Sequence, residues 1–384
     1  MSEVFNYNKL YRAYLDCRKH KRKTINALKF EWNLEKNLSN LLAELESKRY
    51  VPGRSACFVV QNPTIREVFA ADFKDRIVHH LLIKEIEMMG ESVFIYDSFA
   101  CRKGKGTHSA VNRLKQFTQK ITHNNTKECW YAQLDISGFF MSIDHDGLLH
   151  AYENLITRQN KSEQWTKDLL WLVKVIVYHR PVDNYFKKGK SHLFGLVPKQ
   201  KSLFEAEARK GLPIGNYSSQ FSGNLLLNGL DNFIKRSLKC EYYVRYVDDL
   251  VILSDDLSKL WLIIGNVKNF LEINLHMKLN EKKTKVKKLS DGLDFLGYFV
   301  KLNYSLVRKR VVATLKSKMC YLRITAHMVT IDHVLSVVNS YYGHFRRAAS
   351  YHLRKDIYEN HLGQFRERLE LTESLKYLEL RKPT

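Results

Sequence analysis

Two apolar stretches that meet at an acidic dipeptide constrain this chain more than any other feature. Tyr242–Tyr246 is rich in Tyr and Val, Val247-Asp248-Asp249 follows, and Leu250-Val251-Ile252-Leu253 continues. The pattern reads as strand, tight acidic turn, strand. Adjacent carboxylates at such a tip raise each other's pKa unless a cation sits between them. Asp is also common in turns for local reasons, so the hairpin alone leaves a purely structural turn open. Asp135 lies at the end of a second predicted strand, within Trp130–Ile136. If neighbouring antiparallel strands bring the two tips together, Asp135, Asp248 and Asp249 would hold two Mg²⁺ ions through oxygen ligands. Such a pair serves in-line phosphoryl or nucleotidyl transfer.

Charge points the same way. The 384 residues include 63 Lys plus Arg against 40 Asp plus Glu, a formal net charge of +23. Nucleic acid is the commonest polyanion to match such a surplus. A hydrophobic content of 45%, with 12% aromatics, excludes a disordered chain, and the length suggests two or three structural units. Cys17, Cys57, Cys101, Cys129, Cys240 and Cys320 form no C-x-x-C pair, which removes zinc ribbons and a disulfide scaffold. Reduced thiols fit a cytoplasmic protein. No apolar segment follows Met1, and the run Leu169–Tyr178 is broken by Lys174 and too short to span a bilayer. The expectation is a soluble cytoplasmic protein with no membrane partner.

Apolar spacing predicts helices over Asn33–Leu45, Asp75–Met89, Asp168–His179 and Asn216–Lys235, and a strand over Leu293–Leu302. Phe186–Arg209 reads as an irregular insertion, and from Val307 onward the chain reads as helical. Arg18, Lys19, Lys21, Arg22 and Lys23 form a basic cluster, either a solvated face or a phosphate-contacting strip. Cys101–Thr107 is a Gly/Lys loop that lacks the P-loop pattern.

Several segments, in order, resemble reverse transcriptase motifs across about residues 60–300. Tyr246-Val247-Asp248-Asp249 resembles the Y-x-D-D box, and Leu134-Asp135-Ile136-Ser137-Gly138-Phe139-Phe140 the first aspartate motif. Gly211-Leu212-Pro213-Ile214-Gly215-Asn216, followed by Ser218, Ser219 and Gln220, resembles the motif between them. Glu281–Lys285 resembles the lysine-bearing segment, and Phe295-Leu296-Gly297-Tyr298 the primer grip. Most reverse transcriptases carry Gln where this chain has Ile214. The aliphatic residue, the Arg66–His80 segment, the Cys101–Thr107 loop and Ser340–Phe345 resemble the reverse transcriptases of diversity-generating retroelements.

The resemblance implies an α+β right-hand polymerase. Residues 1–125 would form an N-terminal extension and fingers, 126–302 a palm with an antiparallel sheet and an insertion around 186–209, and 303–384 a helical thumb. It implies two Mg²⁺ ions at Asp135, Ile136, Asp248 and Asp249, the three aspartates being catalytic. Arg66, Arg76, Phe140, Ile214, Gly215 and Lys283 would face the dNTP and template. Phe140 would be the sugar gate, and Lys283 would assist pyrophosphate departure. The implied partners are an RNA template, a DNA or RNA primer, dNTPs and a small basic accessory protein. The implied activity is copying a template-repeat RNA with low fidelity at adenines. Two alternatives stay open: a retron-like or phage-defence reverse transcriptase using another RNA, and a catalytically idle nucleic-acid-binding module.

Overall fold

The computed structural model describes residues 2–19, 24–61, 64–372, 374 and 376–381. Lys21, Arg22 and Lys23 of the basic cluster lie outside them. The chain forms two compact units: Met1–Arg102, Gln133–Val251 and Trp261–Thr284 make the first; Lys103–Ala132, Ile252–Leu260 and Lys285–Thr384 make the second. Among the described residues, no helix is long and apolar enough to cross a membrane.

Helices α1 (Tyr7–Arg18), α2 (Ile25–Glu31) and α3 (Leu34–Glu46) open the chain. The Asn6 side chain caps α1 by accepting from the Lys9 amide. Leu38, Leu41 and Leu45 form the buried stripe of α3. Strands β1 (Ser55–Val60) and β2 (Arg66–Ala70) pair antiparallel, with Phe58 opposite Val68. Helix α4 (Phe73–Val93) is capped by Asp72 and buries Ile77, Val78, Leu81, Leu82 and Ile86. It starts before the predicted Asp75 and outruns Met89. Its Asp75 is buried, yet accepts from the Tyr50 hydroxyl at 2.7 Å and the Gly53 amide at 2.8 Å.

After α5 (Thr107–Ile121) comes β3 (Trp130–Asp135), which ends at the predicted aspartate. Short α6 (Phe139–Ser142), α7 (His145–Ile156) and α8 (Glu163–Val177) follow. Helix α8 begins earlier than the predicted Asp168. Ser162 caps it, and in its first turn Trp165 alone is apolar, buried among polar neighbours in sequence. The stretch predicted as irregular from Phe186 opens instead in a short strand, β4 (Tyr185–Lys187), which joins β1 in parallel, and continues in 3-10 turns. Helix α9 (Tyr217–Asn232) runs on as a π turn, Phe233–Ser237. Strands β5 (Tyr243–Tyr246) and β6 (Asp249–Ser254) flank the acidic turn, and α10 (Leu257–Leu275) follows. The strand order is β5-β6-β3, with β7 (Lys285–Lys288) beyond β3.

The single strand predicted over Leu293–Leu302 is instead a hairpin. Strands β8 (Leu293–Phe295) and β9 (Tyr298–Val300) pair antiparallel, and β10 (Ser305–Val307) adds to β9. Leu296 at φ +51° and Gly297 at φ +87° reverse the chain between them. The C-terminal part is only partly helical. Helices α11 (Lys309–Ile324), α12 (Ile331–Phe345) and α13 (Tyr351–Asp356) pack around Leu315, Met319, Val338, Tyr342 and Phe345. A small antiparallel pair, β11 (Leu369–Leu371) and β12 (Leu378–Leu380), closes the chain.

Candidate active site

The turn between β5 and β6 is strained. Val247 has φ +56°, a left-handed conformation that a β-branched residue adopts only when its surroundings impose it. Asp248 follows it, and Asp249 opens β6. The next strand in the sheet, β3, ends at Asp135, which is buried. The segment after α10 pairs with that strand end. The Asn280 amide donates to the Asp135 carbonyl at 2.8 Å, and the Ser137 amide to the Lys278 carbonyl at 2.9 Å. This pairing brings two side chains onto the Asp135 carboxylate. Lys283 Nζ lies 2.8 and 2.9 Å from its two oxygens, and Asn280 Nδ2 donates to one of them at 3.1 Å.

The charged groups here act on one another. Burial, and then the negative charge of Asp135, push the Asp248 carboxyl up, while Lys283 and Arg66 pull it partly back. Burial works against the Lys283 ammonium, but Asp135, Asp248 and Asp249 outweigh it and hold the group above its ordinary value. The ammonium thus marks where this acidic centre takes positive charge. Carboxylate oxygens are the donors that hard divalent cations prefer, and Ile136, whose side chain is buried, has only its backbone carbonyl to offer. In donor chemistry the site fits Mg²⁺. Among the described residues, however, no group of three His, Cys, Asp or Glu side chains is arranged to hold a metal ion. Asp135 is engaged by Lys283 and Asn280 instead. Asn280 escaped the sequence reading because nothing in Leu279-Asn280-Glu281 marks it.

The middle motif is pinned to β2. The Phe69 amide donates to the Ile214 carbonyl at 2.9 Å, and the Asn216 side chain accepts from the Ala71 amide at 3.4 Å. Ile214 is partly exposed and Gly215 exposed. Gly215 has φ +124°, and a Cβ there would stand 2.8 Å from Val68 Cγ1 and 2.9 Å from the Phe69 carbonyl oxygen. Gly215→Ala is therefore expected to destabilise the fold by about 2–4 kcal/mol, from backbone strain plus overpacking. A urea melt checks this. Phe139 is buried, whereas Phe140, 5.1 Å from it centroid to centroid, is partly exposed. A Cβ on Gly223 of α9 would come within 3.1 Å of Phe139, so glycine there leaves room for the ring.

A family model for reverse transcriptase (RNA-dependent DNA polymerase) matches residues 61–300, more than half of the chain. The chain belongs to the reverse transcriptases. Protein YkfC of Escherichia coli K12 is 25% identical over 320 residues, covering 74% of this chain and 75% of that protein. Retron Ec73 reverse transcriptase of Escherichia coli is 24% identical over 178 residues, covering 45% of this chain and 48% of that protein. A putative COX1/OXI3 intron 2 protein of Saccharomyces cerevisiae is 23% identical over 265 residues, covering 60% of this chain and 30% of that protein. The fold is similar to that of apo telomerase from Candida tropicalis, with a TM-score of 0.51 at 9% identity, covering 73% of this chain and 56% of that one. The fold is the α+β right-hand polymerase, and the family chemistry is RNA-directed DNA synthesis.

Arg76 sits on α4, where its Nε donates to the Ala71 carbonyl at 2.8 Å. The Phe295–Tyr298 segment lies in the second unit. Phe295 and Tyr298 are buried, and Leu296 and Gly297 are the partly exposed members. The Tyr298 hydroxyl donates to the His344 carbonyl at 2.8 Å and lies 3.0 Å from His108 Nδ1. His344 comes from the Ser340–Phe345 segment, which thus braces the turn. Glu67 of β2, missed by the sequence reading, is buried and accepts from the Ser202 hydroxyl at 3.0 Å and the Leu203 amide at 2.9 Å. It anchors the insertion to β2.

Proposed function

We propose that this reverse transcriptase copies RNA into DNA at the centre formed by Asp135, Asp248, Lys283 and Arg66. The observation that carries the reading is their convergence. Residues far apart in sequence meet: Lys283 sits on the Asp135 carboxylate, and Asp248 lies within electrostatic reach of Asp135, Lys283 and Arg66. Asp135, Asp248 and the Ile136 carbonyl would hold Mg²⁺, with Asp249 beside them. When bound, two such ions activate the attacking oxygen and stabilise the leaving one. Lys283, once released from Asp135, would neutralise or protonate the departing pyrophosphate. Arg66 would bind the incoming triphosphate, with Arg76 in support. Phe140 would exclude the ribose 2′-OH. Ile214 and Gly215 would pack against the templating pair, and the Phe295–Tyr298 turn would seat the primer. An N-terminal extension and fingers over 1–125, a palm over 126–302 and a thumb over 303–384 go with this reading. The test is extension of a primer on RNA by the purified protein with Mg²⁺ and dNTPs. No DNA product, from a protein that binds the primer–template, would favour the idle binding module.

The finer reading is a diversity-generating retroelement enzyme, copying a template-repeat RNA with a small basic accessory protein as partner. Its support is Ile214 in place of Gln. An isoleucine offers bulk but neither donor nor acceptor, and losing one polar restraint of ~1 kcal/mol raises errors several-fold. The effect is greatest opposite adenine, whose pair has one hydrogen bond fewer. Ile214→Gln is expected to lower misincorporation at template adenines several-fold and at other bases less, as read by sequencing cDNA from a defined RNA. An unchanged error spectrum with retained activity removes Ile214 from the explanation. The similarity to Retron Ec73 reverse transcriptase favours a second reading, a retron-like enzyme with a different RNA. A template repeat near the gene, with a near-copy differing at adenines, separates the two.

A further inference from the structure

Strand β5 carries a charge where a strand core holds apolar side chains. Arg245 is fully buried. Its partner, Asp231 of α9, is fully buried too. Arg245 Nε donates to Asp231 Oδ1 at 2.8 Å and Nη2 to Oδ2 at 2.7 Å, a bidentate pair. The Tyr243 hydroxyl also donates to Asp231 Oδ1, at 2.7 Å. The remaining guanidinium nitrogen, Nη1, donates at 3.1 Å to Asn224 Oδ1 and at 3.1 Å to the Val247 carbonyl. Asn224 is oriented in turn by donating to the Ala100 carbonyl at 2.8 Å. The Arg245 backbone is held against one segment by both its groups: its amide donates to the Asp97 carbonyl at 3.0 Å, and its carbonyl accepts from the Phe99 amide at 3.0 Å.

Stability is a weak account of this network. Desolvating an ion pair is expensive, and apolar residues of similar volume often serve a core as well or better. An apolar pair cannot supply a donor to the Val247 carbonyl. That carbonyl belongs to the residue at φ +56°, and its peptide leads directly into Asp248. We propose that Arg245, clamped by Asp231 and Asn224, is a positioning residue that holds the strained Val247 peptide and so aims Asp248 toward Asp135. Asp231 fixes the guanidinium plane with two bonds, leaving Nη1 pointed at the turn. Lysine keeps the charge but lacks the fork that can grip Asp231 and reach Val247 together.

The inference rests on the polymerase reading above, and wild-type extension on RNA is the control for that reading. Two proteins test the inference itself. Arg245→Lys keeps the charge. The triple variant Arg245→Met, Asp231→Leu, Tyr243→Phe removes the ion pair and the hydroxyl that would lose its acceptor, leaving no buried orphan charge. In at least one folded variant, turnover is expected to fall tenfold to a hundredfold, with dNTP KM and RNA Kd within twofold of wild type. The Mg²⁺ concentration giving half-maximal thermal stabilisation of the protein is expected to rise several-fold. A network that serves stability alone would be restored by the apolar triple variant. Wild-type turnover in the folded triple variant therefore overturns the proposal, as does failure of both variants to fold. An inactive wild type would instead strike the polymerase reading.

Discussion

Asp248→Asn protein is expected to lose RNA-templated extension by at least about three orders of magnitude while melting no lower than wild type. The loss follows from the position of Asp248 beside Asp135. A ligand to the catalytic cations stabilises the transition state by several kcal/mol, and each ~1.4 kcal/mol is tenfold in rate. The stability half follows from the same geometry with the opposite sign. Burial and Asp135 raise the folded-state pKa of Asp248. A raised pKa contributes stability at low pH that is lost as pH rises through the folded value. At neutral pH the ionised side chain therefore burdens the metal-free fold, and a neutral amide of the same shape relieves it. Melting temperatures measured without metal should show Asp248→Asn gaining on wild type as pH rises from the ordinary Asp pKa of about 4 toward neutrality. Retained extension by the folded mutant would remove Asp248 from the chemistry. A melting point well below wild type at pH 7 would show the carboxylate to be a net structural support.

Phe140→Ala is expected to admit ribonucleotides, improving rGTP or rATP use relative to the matching dNTP by tenfold or more. Phe139 and Phe140 divide their work by burial. Phe139 packs in the core against α9, whereas Phe140 keeps part of its ring exposed at the end of the first aspartate motif. A well-packed wall rejects an added hydroxyl by shape, and truncating the ring opens the space it filled. The 2′-OH is the group that distinguishes the two substrates. Alkaline cleavage of the extended product reads ribose incorporation directly. A ribose-free product from an active mutant would assign the gate elsewhere. Because Phe140 is not fully buried, its loss should lower the melting point much less than the ~3–5 kcal/mol typical of a buried Phe→Ala change.

The sequence by itself determined the elements whose signals are local. The hairpin around Asp248 was legible because two apolar β-type runs flank a short acidic turn. Strand β3 was legible because a mostly apolar run, Trp130–Leu134, leads into Asp135, and α3, α4 and α9 because their buried residues recur at helical spacing. Where a local signal was weak, the reading slipped. The first turn of α8 carried a single apolar residue, Trp165, among polar neighbours, and the Leu296-Gly297 reversal was hidden inside one apolar run. The two C-terminal strands, β11 and β12, were too short to interrupt a helical pattern.

Only the tertiary structure decided which distant groups meet. Asn280 and Lys283 reach Asp135 because backbone pairing near residues 278–280 aligns that segment with the end of β3. Glu67 meets Ser202 and Leu203 across more than a hundred residues of chain. Arg245, which in sequence is one basic residue among many, becomes a buried clamp because α9 presents Asp231 and Asn224 to it. The physical reason is common to all three. Periodicity records whether a side chain faces a core, whereas a hydrogen bond or ion pair depends on the partner that three-dimensional packing brings to it.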